Sequence, residues 1–382
     1  MPEHKSDMEE KTITLHELIE RSARAALELQ REDGSFPPGN NNPYQDNATP
    51  VRNTSNWLKI LSFVYNLTSE RKFRQASNAA INYLQRDNLR PYGYTYKCRK
   101  CDKKDSCNGL VGQANVIEAM VRAGDYLDRP ELYDYAAQIY SLHPFNEHIG
   151  VWNRVEIDGT VLTIDRTFNH QLIFATASAL LAERIERDTI ENEVSVFLDN
   201  LPQNMSWNSK GVIIHRLRPE FDINIIAPAF LDHSIELLLN PILHAKRQIL
   251  PEEETKMKEL AYQSVNLYWM ACLKNRTPEQ KVWSRLPLQT FLSVTRTQRY
   301  RGLAEQRAEW FSNMPPGFEI AHAINTFDKH SDDKEMIYWI EIALKNHYDK
   351  ESDSFTKNCT DPDTLSGLLY KLLDLPNLTI SI

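Results

Sequence analysis

Glycine is scarce: 12 in 382 residues, well under half of an average usage of about 7%. Glycine-rich phosphate loops and turn-dense β-barrels are thereby disfavoured. No stretch approaches the roughly 20 apolar residues of a membrane span, and the charged start, Met1 to Lys11, has no apolar core of signal-peptide length. The expectation is a cytoplasmic protein without a membrane span. A surplus of positive charge is missing too, since 44 basic against 52 acidic residues leave −8. No global field would draw in nucleic acid or an anionic membrane. Cysteine is sparse and odd in number, at five, which suits reduced thiols or a metal better than a disulfide scaffold. In that setting the Asn-x-Ser/Thr triplets, such as the one at Asn53, carry no glycosylation meaning. What is present is a 41% hydrophobic, 25% charged chain able to bury a large core.

Helical periodicity dominates that chain. Leu15, Leu18, Ile19, Ala23, Ala26 and Leu27 fall at three- and four-residue steps, opened by the Thr14–Glu17 capping box. Similar patterns recur at 57–67, 73–84, 110–126, 132–142, 168–185, 225–239, 257–272, 337–344 and 365–372. Strand signals are confined to 151–157 and 212–217, read as short hairpins in loops. Aromatic residues in turn-like loops, at Phe36, Tyr94, Trp152, Trp207, Trp283 and Phe355, repeat at intervals of 55 to 76 residues. Each interval has room for two helices and two loops, which predicts a closed array of about six helix hairpins. No Pro/Ser-rich linker interrupts the pattern, so residues 1–382 read as one domain with a flexible start over 1–12.

The segment from Gln30 to Phe36 (Gln-Arg-Glu-Asp-Gly-Ser-Phe) resembles the glutamine–aromatic loop motif of α/α toroids, including terpene cyclases and several carbohydrate-active families. Together with the repeat, the chain resembles the six-hairpin, (α/α)6 glycosidase-like superfamily. That resemblance implies an all-α toroid with short β-hairpins in its loops. It also implies a substrate groove at one end of the inner helix ring. An Asp-x-Asp-Asp acid motif is absent, so terpene cyclisation fits poorly.

The densest stretch of chemistry-bearing residues runs from His148 to Gln171. A glycosidase needs two carboxyl groups across the scissile bond, and Asp165 is the first candidate, with Asp46, Glu156 or Asp232 as partner. Asn169-His170 is similar to the Asn-His pair of toroidal polysaccharide lyases, which implies proton abstraction at His170 beside a uronate held by Asn169. Hydrolysis built on Asp165 is the leading expectation, with lyase or epimerase chemistry on His170 and Asn169 as its rival and a non-catalytic glycan-binding scaffold behind both. Aromatic faces and polar neighbours suit an oligosaccharide or polysaccharide, so Trp152, Trp207, Tyr44, Asp46, Arg52 and Gln171 are expected to bind it. Asp165, Asn169 and His170 are expected to line one pocket with Trp152. The loop 37–52 is expected as the lip of the groove. Gly109, Gly112 and Ala114 read as permitting close helix packing. Cys98-x2-Cys101-x5-Cys107 has part of the spacing of a zinc knuckle. A structural zinc is one expectation there, plain reduced thiols and a redox pair the others, and no cofactor is required for activity.

Overall fold

A computed structural model describes residues 12–40, 44, 46–101, 104–218, 253–328 and 332–382. The expected helix at 225–239 and the candidate Asp232 lie outside the described residues, as do Asn41, Asn42 and Gln45 of the lip loop.

Helix α1 (Leu15–Ala26) starts where its periodicity does, with the Thr14 hydroxyl accepting the Glu17 N–H at 3.2 Å. Helices α2 (Val51–Thr68), α3 (Arg71–Leu84), α4 (Gly109–Leu127), α5 (Glu131–Tyr140), α6 (Phe168–Ala182) and α7 (Asp188–Asn204) follow. After them come α8 (Glu253–Arg276), α9 (Leu288–Thr295), α10 (Gly317–Phe327), α11 (Asp333–His347) and α12 (Pro362–Gly367), the last continuing as a 3-10 turn over Leu368–Leu372. Helices α2, α4, α6, α8 and α10 pack each on the next, and the 365–372 stretch closes the circle between α10 and α2. The remaining helices, α1, α3, α5, α7, α9 and α11, form an outer layer against this inner ring. The fold is the expected all-α (α/α)6 toroid.

Inner helices are covered on all sides, and their composition follows. Helix α6 buries almost every residue from Phe168 to Leu181, the mark of a helix surrounded by protein rather than half wetted. Helix α10 is alike, with Phe318, Ile320, Ala321, Ala323 and Ile324 buried beside Glu319 and His322. Glu319 and His322 interrupt its short apolar run, and periodicity alone passes over it.

Strands are short and peripheral. Strand β1 (Thr12–Thr14) pairs antiparallel with β7 (Thr379–Ser381), Ile13 opposite Ile380. Between them lie the three-stranded β2 (Phe145–Asn146), β3 (Val151–Val155), β4 (Val161–Ile164) and the small pair β5 (Tyr348–Asp349), β6 (Ser354–Phe355). The segment 212–217 forms no strand. It makes single bridges only, Ile213 to Trp207 and Arg216 to Thr167.

The sequence repeat has a physical basis in a recurring clamp. On α4, Gln113 accepts the Tyr96 N–H at 2.9 Å and donates to the Cys107 carbonyl at 3.0 Å. On α6, Gln171 accepts the Trp152 N–H at 3.0 Å and donates to the carbonyls of Trp152 and Asp165. On α8, Gln263 accepts the Ile213 N–H at 2.8 Å and donates to the Phe291 carbonyl. The hydroxyls of Thr54 and Ser366 accept the N–H of Phe36 and Phe355 in the same manner. A carboxamide that both donates and accepts satisfies loop backbone that neither helix nor sheet can. The true register is therefore 36, 96, 152, 213 and 355, not one through Tyr94 and Trp207, which are 44% and 39% exposed.

Charge is buried where α2, α4 and the chain's end meet. Lys59 Nζ lies 2.9 Å from Glu118 and 3.3 Å from the centre of the Tyr370 ring. Arg122 bridges Glu118 at 3.0 Å and Asp374 at 2.5 Å.

Candidate active site

The inner ring encloses a cavity of about 520 Å³, reached by side chains of α2, α4, α6, α8, α10 and α12. His170, in the first turn of α6, is a wall residue. Its Nδ1 stands 2.8 Å from Asp165 Oδ2. That carboxylate also accepts the N–H of Leu110 at 3.0 Å and of Thr167 at 3.1 Å, so it ties the starts of α4 and α6 together. Burial would push the Asp165 carboxyl up, but the His170 ring and these N–H donors hold it well below the usual range. With Nδ1 directed to a carboxylate, the tautomer is set and Nε2 is left for chemistry. Gly109 makes this geometry possible: a Cβ there would come within 2.3 Å of Asp165 Oδ2 and 3.0 Å of His170 Nδ1.

A second imidazole lines the same cavity. His215 is held by its carbonyl, which accepts the Phe168 N–H at 2.9 Å, and its ring sits 4.0 Å from that of Tyr262. Its Nδ1 is buried without a partner among the described residues. Burial, with Lys258 and His170 nearby, pushes its pKa well below 6.5, so the ring is neutral. Asn56 Oδ1 and Asn169 Oδ1 also line the cavity, buried and unpartnered among the described residues. Buried polar atoms rarely lack a partner, and these three belong to residues of the cavity wall while being themselves covered by protein.

The wall carboxylates are already engaged. Asp46 meets Lys104 at 2.5 Å, Glu319 is held by Lys371 and Ser264, and Asp361 accepts the N–H groups of Asn40 and Thr364. Aromatic faces come from Tyr44, Tyr262, Trp269 and Tyr370, with the Tyr44 and Tyr262 hydroxyls 2.9 Å apart.

Archaeal glycosylation protein Q of Haloferax volcanii is 37% identical over 369 residues, covering 96% of this chain and 99% of that protein. The chain belongs to this protein's family. No protein-family model matches the chain. Among solved structures, a sugar epimerase from a ruminal bacterium superposes with a TM-score of 0.63 at 10% identity, over 94% of this chain and 98% of that one. D-mannose isomerase gives 0.62 at 14% identity, over 98% and 100%. The α-1,6-mannanase of Salegentibacter sp. HEL1_6 gives 0.55 at 10%, over 94% and 98%. At such identities the likeness is one of fold, and this member of the glycosylation protein Q family has the toroid of carbohydrate-active enzymes.

Five of the residues singled out in the sequence, Tyr44, Asp46, Arg52, Asn169 and His170, meet at the cavity. Others do not. Asp165 stands behind His170 rather than facing the cavity, because α6 begins only at Phe168 and its carboxylate is consumed by the helix starts. Glu156 accepts the N–H of Ser106 at 2.9 Å and of Ile157 at 2.8 Å, pinning a loop to the hairpin. Trp152 is fully buried among Phe145, Phe174 and Phe197 and offers no face to a sugar. Trp207 is exposed, edge-on to Phe291, away from the cavity wall. Gln171 is a clamp.

The cysteine loop is held by backbone, with the N–H groups of Cys98 and Arg99 both donating to the Ser106 carbonyl. Among the described residues no group of three His, Cys, Asp or Glu side chains is placed to hold a metal. Burial pushes the Cys98 thiol up to about 12 and Cys107 higher, so without a metal both are neutral thiols. The residues that sequence reasoning missed include His215, Lys258, Tyr262, Trp269, Glu319 and Lys371. One signal was available: Lys258, Tyr262, Val265 and Trp269 are spaced along a single face of α8.

Proposed function

We propose that this protein is an acid–base enzyme that moves a proton on a carbon of a sugar, as an epimerase or isomerase, with His170 and His215 as its proton-handling groups. The observation that carries the reading is the pair of imidazoles in one cavity, one backed by a carboxylate and the other neutral by burial. Different environments for two titratable groups separate the roles of donor and acceptor. His170 Nε2 is positioned through Asp165, and His215 stands as the neutral acceptor. Asn56 and Asn169 supply polar contacts to ring hydroxyls. The reading calls for no cofactor, since imidazole carries the proton.

Hydrolysis draws less support. It needs two carboxyl groups facing the bond, whereas Asp165 is turned away and Asp46, Glu319 and Asp361 are each engaged by cations or N–H donors. Fold neighbours named as a sugar epimerase and D-mannose isomerase agree with the reading by analogy. The kinship to a glycosylation protein suggests that the sugar is one used in building a glycan.

The test is exchange of substrate carbon-bound hydrogen with solvent deuterium, followed by NMR over a panel of aldoses and uronates. Incorporation in the wild type should drop by roughly 10²-fold or more in His170→Ala, the scale of general acid–base help. Release of new reducing ends without any exchange would sink the reading.

A further inference from the structure

The protein carries a net charge of −8, yet among the described residues its cavity wall holds six Arg or Lys side chains against three Asp or Glu. Three of the six, Lys104, Lys371 and Arg99, are paired with Asp46, Glu319 and Asp105, and Arg52 and Arg216 make contacts of their own. Lys258 is held differently. Its ammonium lies 5.1 Å from the ring centre of Tyr44, 5.8 Å from Tyr262 and 5.7 Å from Trp310. Rings fix a cation without cancelling its charge, so Lys258 presents a whole positive charge to the cavity. Tyr262, part of that cage, is the ring stacked near His215, and Arg216 follows His215 in the chain and also lines the cavity. The crowding extends behind the wall, where Arg216 and Arg154 add to burial in pushing the Arg166 guanidinium down. Concentrated like charge in an acidic protein is costly unless something negative enters. Asn169 and Asn56 line the same cavity and add polar surface to its wall.

We propose that the sugar this cavity takes bears an acidic group, and that Lys258 with Arg216 seats that group beside His215. The inference deepens the acid–base reading and rests on it for the location of the reacting carbon. The acidic group is a carboxylate on the sugar or a phosphoryl group attached to it, since both are recognised by ammonium and guanidinium donors. A seated charge beside His215 fixes which ring carbon meets the two imidazoles.

The experiment is calorimetric binding to the whole protein of D-glucuronate, D-galacturonate and glucose 1-phosphate, set against glucose, galactose and mannose. Acidic sugars should bind at least about tenfold tighter than their neutral counterparts, the scale of a charge-assisted contact. The advantage should shrink as salt rises. Lys258→Met keeps an apolar stem within the rings and should erase most of the advantage, while Lys258→Arg should keep it. A thermal midpoint near that of the wild type establishes that both variants fold. Preference for the uronates assigns a carboxylate, and preference for the phosphate ester a phosphoryl group. Equal binding of neutral and acidic sugars, no binding of any acidic sugar, or an advantage untouched in folded Lys258→Met overturns the proposal. Binding is read without turnover, so absent deuterium exchange together with a preserved acidic preference would sink the acid–base reading alone.

Discussion

Asp165 does two things at once: it orients His170 and it ties the starts of α4 and α6. Its two roles separate in experiment. Asp165→Asn should cut turnover by about 10²-fold and flatten the pH dependence of stability in acid. The sign follows from the depressed carboxyl pKa: the carboxylate stabilises the fold above the ordinary carboxylate value of 3.8 and loses that contribution as pH falls below it. Thermal midpoints between pH 5 and pH 2 should therefore drop less steeply in the variant than in the wild type. The thiols give the opposite edge. Cys98 is raised from 9.0 to about 12, so its neutral form stabilises the fold below pH 9 and that contribution is lost as pH rises toward 12. Native protein at pH 8 should leave Cys98 and Cys107 unlabelled by a thiol reagent that reacts with both after unfolding; rapid native labelling would show that the burial is wrong. Residue-scale chemistry was partly legible in sequence. His170 and Asn169 stood out because polar residues crowd a helix start. His215 did not, because nothing local distinguishes a histidine whose significance comes from Tyr262 on another helix.

At the scale of elements, two polar devices hold the inner ring together. One is the glutamine clamp at Gln113, Gln171 and Gln263. In sequence a glutamine ahead of an apolar helix looks like a ligand-binding residue, and only the backbone groups it satisfies reveal otherwise. The other is the buried Lys59–Glu118–Arg122 chain, which ends on the more exposed Asp374 and joins α2 and α4 to the end of the ring. Lys59→Met leaves Glu118 with Arg122 alone and should cost about 3 kcal/mol, the usual loss when one partner of a buried pair is removed. Urea unfolding monitored by helicity measures this, and a change below about 0.5 kcal/mol would mean that the lysine's desolvation offsets its pairing. Periodicity found the inner helices α2, α4, α6 and α8 but passed over α10 and the outer helices α7 and α9, whose apolar residues are broken by polar ones.

For the molecule as a whole, the toroid was legible because its repeat is written in loops, where turn residues and buried aromatics have few alternatives. The clasp between β1 and β7 was not, since no pattern in 12–14 or 379–381 announces a partner at the opposite end of the chain. Besides the β1–β7 pairing, the Leu15 N–H donates to the Leu378 carbonyl at 2.9 Å and the His16 N–H to Asn377 Oδ1 across 361 positions. Ile13 and Ile380 are buried beneath this clasp at 3% and 1% exposure. Ile380→Asp should lower the thermal midpoint by about 2–3 °C, as expected for about 2 kcal/mol of lost burial and added desolvation in a chain of this size, while leaving the ligand binding proposed for the cavity, which neither strand lines, nearly unchanged. A midpoint equal to that of the wild type would mean the clasp is ornamental to stability.

The clasp also sets an order of assembly. Successive inner helices from α2 to α10 can dock on their neighbours as they form, whereas the seam, which is the clasp together with the docking of 362–372 on α2, must wait for segments hundreds of residues apart. Each doubling of such a loop adds only about 0.6 kcal/mol to its closure, but the wait is kinetic, since non-local pairing comes late. Refolding should therefore end with a phase in which the helices are already native in circular dichroism and only the seam is still open to hydrogen exchange. A circular permutant, spliced across the seam and cut elsewhere, would carry that slow phase to its new ends.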